Sequence, residues 1–161
     1  MYQRILVALD DSQLSQQAFQ QSLYLAQIFD AELQLLNVIS PLEAEYQNTV
    51  SLAGRGYYSN TIDETVEEKW QLSVANQLDY LQSLAEQATQ AGVSAEFVQE
   101  IGQICKSARD WEADLIVIGS HGRKGLSELF LGSVSNYVSH HVPCAVMVVR
   151  EQIKSKPEAI R

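Results

Sequence analysis

Four short stretches of the chain are dominated by apolar residues: "ILVAL" at 5–9, "LQLLNVI" at 33–39, "LIVIG" at 115–119 and "AVMVV" at 145–149. They are short and rich in β-branched residues, and they lack the alternation of a sheet with one wet face. That predicts strands covered on both sides. A fifth run, "SAEFVQEI" at 94–101, alternates and predicts an edge strand. Between these lie helical spacings. Leu14, Ala18, Leu25 and Phe29 share a face from Ser12 to Phe29, with Ser12 as the predicted N-cap. From Val66 to Ala88 the set Val66, Trp70, Val74, Leu78, Leu81, Ala85, Ala88 steps by three or four, and Gly92 follows as a stop. Shorter helices fit 103–112 and 133–141. The order β-α-β-α-β-α-β-α-β predicts right-handed crossovers and a parallel sheet between helical layers.

Two segments stand outside this alternation. Residues 41–65 are polar and turn-rich and carry three tyrosines, a length that marks an insert, partly helical, disordered or a functional flap. Residues 151–161 form a polar tail. The expected organisation is a single domain over 1–150, with the insert at 41–65 and the tail beyond.

With 161 residues and 46% apolar composition, the chain is long enough to bury a core. The net charge of -9 argues against nucleic acid or an anionic membrane as partner. The charge is uneven: 41–104 carries ten acidic and two basic residues, 105–150 four acidic and five basic. The opening "MYQRILVALDD" is too short in apolar residues for a signal core or a span. Cys105 and Cys144 lack metal-type spacing and read as buried reduced thiols. A cytoplasmic protein is expected.

The least acidic region contains "GSHGRKGLSELFLGSVSN" (119–136), with four glycines, four serines and adjacent cations behind a strand. Ligands of open parallel sheets bind beyond the carboxyl ends of strands, where the strand order reverses. If "ILVAL" and "LIVIG" are neighbours there, Asp10 and Gly119 face one crevice. Gly119 and Gly122 would admit a ligand to the backbone, through a missing Cβ and freedom for positive φ. Gly132, Ser133, Val134 and Ser135 open the last helix, where free amides, hydroxyls and the helix dipole favour phosphate. Arg123 and Lys124 lie between, suited to outer phosphates. The chain has no GxxxxGK[ST], no GxGxxG and no GxSxG. Asp11 reads as a helix-capping residue, Asp10 as a ligand contact or a cap, and His140 and His141 as complements to a helix C-terminus.

The spacing G-x-x-G, nine residues, then G-[ST] resembles the nucleotide-binding branch of the universal stress protein family. Here it is Gly119–Gly122, Arg123 to Leu131, then Gly132-Ser133; "RILVALDDS", "ADLIVIGSHGRKGL", "LGSV" and "VPCAVMVV" are similar too. The resemblance implies an open five-stranded parallel α/β sheet of order 3-2-1-4-5 and a homodimer through strand 145–149. It also implies an ATP site, or one for AMP or ADP, with Mg as companion ion. Ala8, Leu9 and Asp10 would then flank the adenosine, and the Val38 backbone would meet adenine. Gly119, His121, Gly122, Arg123, Gly132, Ser133, Val134 and Ser135 would line ribose and phosphates. The function expected is a nucleotide-binding regulator of the stress response. Alternatives are a weak ATPase with His121 placing a water, a structural dimer without nucleotide, and an adenylyl transferase, whose signature motifs are missing.

Overall fold

A computed structural model of the protein describes residues 1–10, 12–39, 60–102, 104–120 and 132–150. In chain order it contains β1 (Arg4–Leu9), α1 (Gln13–Phe29), β2 (Glu32–Ile39), α2 (Asn60–Gln90), β3 (Ala95–Ile101), α3 (Ile104–Asp110), β4 (Leu115–Gly119), α4 (Ser133–His141) and β5 (Ala145–Val149). The five strands pair in the order β3-β2-β1-β4-β5, and every pairing is parallel. This is the open 3-2-1-4-5 sheet expected from the sequence.

Side chains leave a strand on alternate sides, so each apolar run feeds two cores. Val7, Leu35 and Val117 pack with Phe19 of α1 and Leu81 and Leu84 of α2. Leu6, Leu36 and Ile116 pack on the other side with Ile104 and Ala108 of α3 and Val138 of α4. Burial on both faces is why these strands are dominated by apolar residues. β3 pairs with β2 alone and is the edge its alternation predicted.

Local chemistry sets the helix ends. Ser12 caps α1, its Oγ accepting from the Ser15 amide at 3.2 Å. At the other end Asp30 adopts φ 54 and ψ 48, a left-handed cap that a short polar side chain tolerates. α2 ends at Gly92, with φ +81 and the Val93 amide donating to the Ala88 carbonyl at 2.9 Å. Nothing lies within 4 Å of where a Gly92 Cβ would stand. Strain alone is therefore felt there, and Gly92→Ala should cost about 1 kcal/mol in urea unfolding with an unchanged slope.

Two boundaries differ from expectation. α2 starts at Asn60, six residues before Val66, so 60–65 belongs to a helix and not to a loop. "NTIDET" has a single large apolar residue and shows no period to read. Residues 40–59 of the insert and the tail 151–161 lie outside the described residues, as do the side chains of Val66 and Trp70. α3 covers Ile104–Asp110, shorter than 103–112; Trp111 and Glu112 continue it as a hydrogen-bonded turn.

Candidate functional site

The strand order reverses between β1 and β4, whose connections leave toward opposite ends of the sheet. Ala8 pairs with Leu36 on one side and Ile118 on the other. Leu9 pairs with Asn37 as the last β1 residue, and Gly119 ends β4. Asp10, Val38 and Ser120 thus stand at one level on the carboxyl rim. Parallel registry has gathered residues from three distant parts of the chain.

Asp10 is held rigidly at that rim. Its Oδ1 accepts from the Ser12 amide at 3.0 Å and from Ser15 Oγ at 2.6 Å, and its own amide donates to Ser15 Oγ at 2.8 Å. Ser15 is buried, so the turn from β1 into α1 is fixed from below. Of the two readings of Asp10, this geometry bears on the capping one: the residue shapes the helix entry, and it is half-buried at the rim.

On the β4 side the Ser120 carbonyl is a clasp. It accepts from the Gly132 amide at 2.6 Å and from Ser135 Oγ at 2.9 Å, closing the two ends of the glycine-rich stretch on each other. Ser120 and Ser135 are both buried. Two expectations change as a result. The Gly132 amide is engaged by Ser120, and the Ser135 hydroxyl points into the protein, donating also to the Gly132 carbonyl at 3.0 Å. The amides of Ser133, Val134 and Ser135 precede the first bond of α4, from Asn136 to the Gly132 carbonyl at 2.9 Å. No side chain caps this helix start, and Ser133 and Val134 are exposed. The anion-favouring group is hence three amides at a dipole end, plus the Ser133 hydroxyl.

Glycine freedom also enters differently than expected. Gly132 has φ -59 and ψ 156, open to any residue, and Gly119 is in extended strand. Among the described glycines, positive φ occurs at Gly92 and Gly102. At Gly119 and Gly132 the missing Cβ is what remains distinctive. His121, Gly122 and Arg123 lie outside the described residues.

A row of amides that the sequence reading missed crosses the rim. Asn37 Nδ2 donates to the Leu9 carbonyl at 2.9 Å, while Gln99 Nε2 donates to Asn37 Oδ1 at 3.0 Å and to Gln77 Oε1 at 3.4 Å. β1, β2, β3 and α2 are tied in series. Asn37 was visible as a polar break in "LQLLNVI"; its partners Leu9 and Gln99 were not, being 28 and 62 residues away. Below this row sits Tyr80, whose covered hydroxyl has no hydrogen-bond partner among the described residues. Burial pushes its pKa above the usual value; the nearby Gln16 side chain works the other way without bonding geometry, and the Asp10 charge adds to the rise. Cys105 is buried and Cys144 only half-buried, and burial is the main cause raising both thiols.

Among the described residues no helix is long and apolar enough to cross a membrane. A family model described as "Universal stress protein family" matches residues 1–150. Universal stress protein Sll1388 of Synechocystis is 38% identical over 157 residues, covering 92% of this chain and 98% of its own length. UspA from Lactobacillus plantarum superposes with a TM-score of 0.72 at 26% identity, covering 92% of this chain and 98% of that one. Two more solved structures share the fold. One is a universal stress protein in complex with cAMP, at TM-score 0.60 and 21% identity, covering 92% of this chain and 97% of that one. The other, from Archaeoglobus fulgidus in complex with dAMP, has TM-score 0.59 and 16% identity and covers 92% and 98%.

Proposed function

This chain belongs to the universal stress protein family, and on that footing we propose that it is an ATP- or AMP-binding regulatory protein of the stress response, its phosphates held by the glycine-rich stretch. One observation carries the reading. The Ser120 clasp ties the uncapped start of α4 to the strand end that lies level with Asp10 and Val38, which supports a reading in which first-turn amides serve phosphate and Asp10 serves ribose hydroxyls. The relatives crystallised with cAMP and dAMP support the same ligand chemistry.

In this reading the α4 amides meet the inner phosphates, Asp10 meets the ribose, and Ala8, Leu9 and the Val38 backbone border the adenosine. His121, Gly122 and Arg123 complete the phosphate side. Mg2+ enters with the phosphates, its customary ligands. We take 1–150 as one domain and β5 as the contact of a homodimer.

Native mass spectrometry of the purified protein, followed by isothermal titration with ATP and AMP, tests the proposal. Adenine nucleotide should co-purify or titrate in at one site per chain. Arg123→Ala should weaken ATP more than AMP, since only the longer phosphate chain reaches that cation, and added salt should shrink the difference. A purified protein that neither carries nor binds adenine nucleotide removes the proposal.

A further inference from the structure

From Gln71 to Gly102 the chain has four acidic residues and no basic one. Three of the four, Glu86, Glu96 and Glu100, gather at one margin of the sheet. β3 bonds to β2 along one side, and among the described residues no strand takes its other side. Its seven residues present about 23 Å of backbone whose outward N–H and C=O groups have no ladder partner among the described residues.

The two faces of this edge differ. Ala95 and Phe97 turn toward α2, while Glu96, Val98 and Glu100 turn toward α3, where Ser107 Oγ donates to the Glu100 carboxylate. Beside Phe97 a groove of about 350 Å3 runs against α2, with Ala85 and Phe97 as its apolar residues and Gln82, Glu86, Thr89 and Gln90 around them. Phe97 is 39% exposed, so an apolar side chain laid beside it gains cover for both. Glu96 accepts from Gln34 Nε2 at 2.7 Å and Glu86 from Gln82 Nε2 at 3.0 Å, and both donors are neutral. Lys106, the cation near Glu100, is paired with Asp110. None of the three carboxylates has an ion-pair partner among the described residues.

We propose that the outer edge of β3 is a docking site for an extended basic segment of another protein, which adds to the sheet as a sixth strand. Directly opposed residues of paired strands share a face. The occupant therefore carries Lys or Arg opposite Glu96 and Glu100, on the α3 face, and an apolar residue opposite Phe97, in the groove. The backbone ladder supplies affinity, and these three positions supply selection. The same charges turn away a second copy of this chain. Antiparallel pairing of the whole strand, centred on Val98, sets each Glu96 against a Glu100.

The test is fluorescence anisotropy of the full chain with three labelled, end-blocked heptapeptides. In the first, two lysines flank three valines and a threonine closes each end, an order that reads alike in either strand direction. The second has glutamate for lysine, and the third has serine for valine. The first should bind at least about tenfold tighter than either of the others. The double change Glu96→Gln with Glu100→Gln, and separately Phe97→Thr, should each weaken it about three- to tenfold. Glutamine and threonine keep the strand, which circular dichroism checks. Hydrogen exchange read by NMR should show the bound peptide slowing the outward amides of 95–101 and leaving 145–149 unaltered. A first peptide that does not bind, or binds no better than the glutamate peptide, overturns the inference. So does binding that leaves β3 exchange unchanged or that survives all three substitutions. Outward β3 amides already protected in the free protein overturn it as well, since a second copy or another stretch of this chain then holds the edge.

Discussion

Under the proposed nucleotide reading, Gly132→Val is expected to lower ATP affinity at least tenfold, equivalent to about 1.4 kcal/mol, while the circular dichroism spectrum keeps its wild-type shape. The residue's φ of -59 and ψ of 156 are open to valine, so backbone strain is not the cause. The clasp to Ser120 uses the backbone amide, which valine retains. What changes is the branched side chain placed ahead of the Ser133, Val134 and Ser135 amides, where an anion must approach. Gly132→Ala should fall between the two, because the obstruction scales with side-chain size. Valine is also a poorer helix cap than glycine, a modest cost to α4 that thermal unfolding will register separately. Titration with ATP decides the matter: if Gly132→Val binds like the wild type, this glycine only closes a loop and the phosphate seat lies elsewhere.

If the protein is the homodimer proposed above, Val146→Lys is expected to turn it into a monomer, weakening self-association at least a hundredfold, or about 2.7 kcal/mol. β5 hydrogen-bonds to β4 on one side only. Its residues Val146, Met147 and Val148 are half-buried in the single chain. An apolar edge with open amides and carbonyls invites a second strand, and a copy of itself satisfies it through a two-fold contact. Lysine at 146 would carry its charge into that seam twice, once from each copy. In the monomer the same side chain reaches water from a half-buried position, so far-UV circular dichroism should be preserved. Sedimentation velocity at micromolar concentration reads the outcome, and a wild type already monomeric there rules out the seam.

The elements themselves were legible because their signals are local. Runs dominated by apolar residues marked β1, β2, β4 and β5, Ser12 and Gly92 marked helix ends, and alternation marked β3 as an edge. α2 was misjudged only where "NTIDET" offers no apolar spacing. The site was legible in part, for the same reason: Gly119, Gly132 and Ser133 stand in one contiguous stretch, and Asp10 follows an obvious strand. Asn37, Gln77, Gln99 and Tyr80 were not, since a polar residue in an apolar run announces burial without naming its partner.

The sequence by itself determined which segments are strands and helices, that the strands are covered on both faces, and that one stretch concentrates glycine, hydroxyl and positive charge. These properties depend on neighbours a few residues apart. Only the tertiary structure decided which of those groups are engaged within the protein and which stand together at the carboxyl rim. The β1–β4 pairing joins residues about 110 positions apart and brings Asp10 level with Ser120. The Ser120 carbonyl then engages the Gly132 amide and the Ser135 hydroxyl, so the first-turn amides of α4 are the donors left for the proposed anion. The amide row from Gln77 through Gln99 and Asn37 to the Leu9 carbonyl joins α2, β3, β2 and β1 across 22 to 62 residues, a relation that no single segment of the sequence contains.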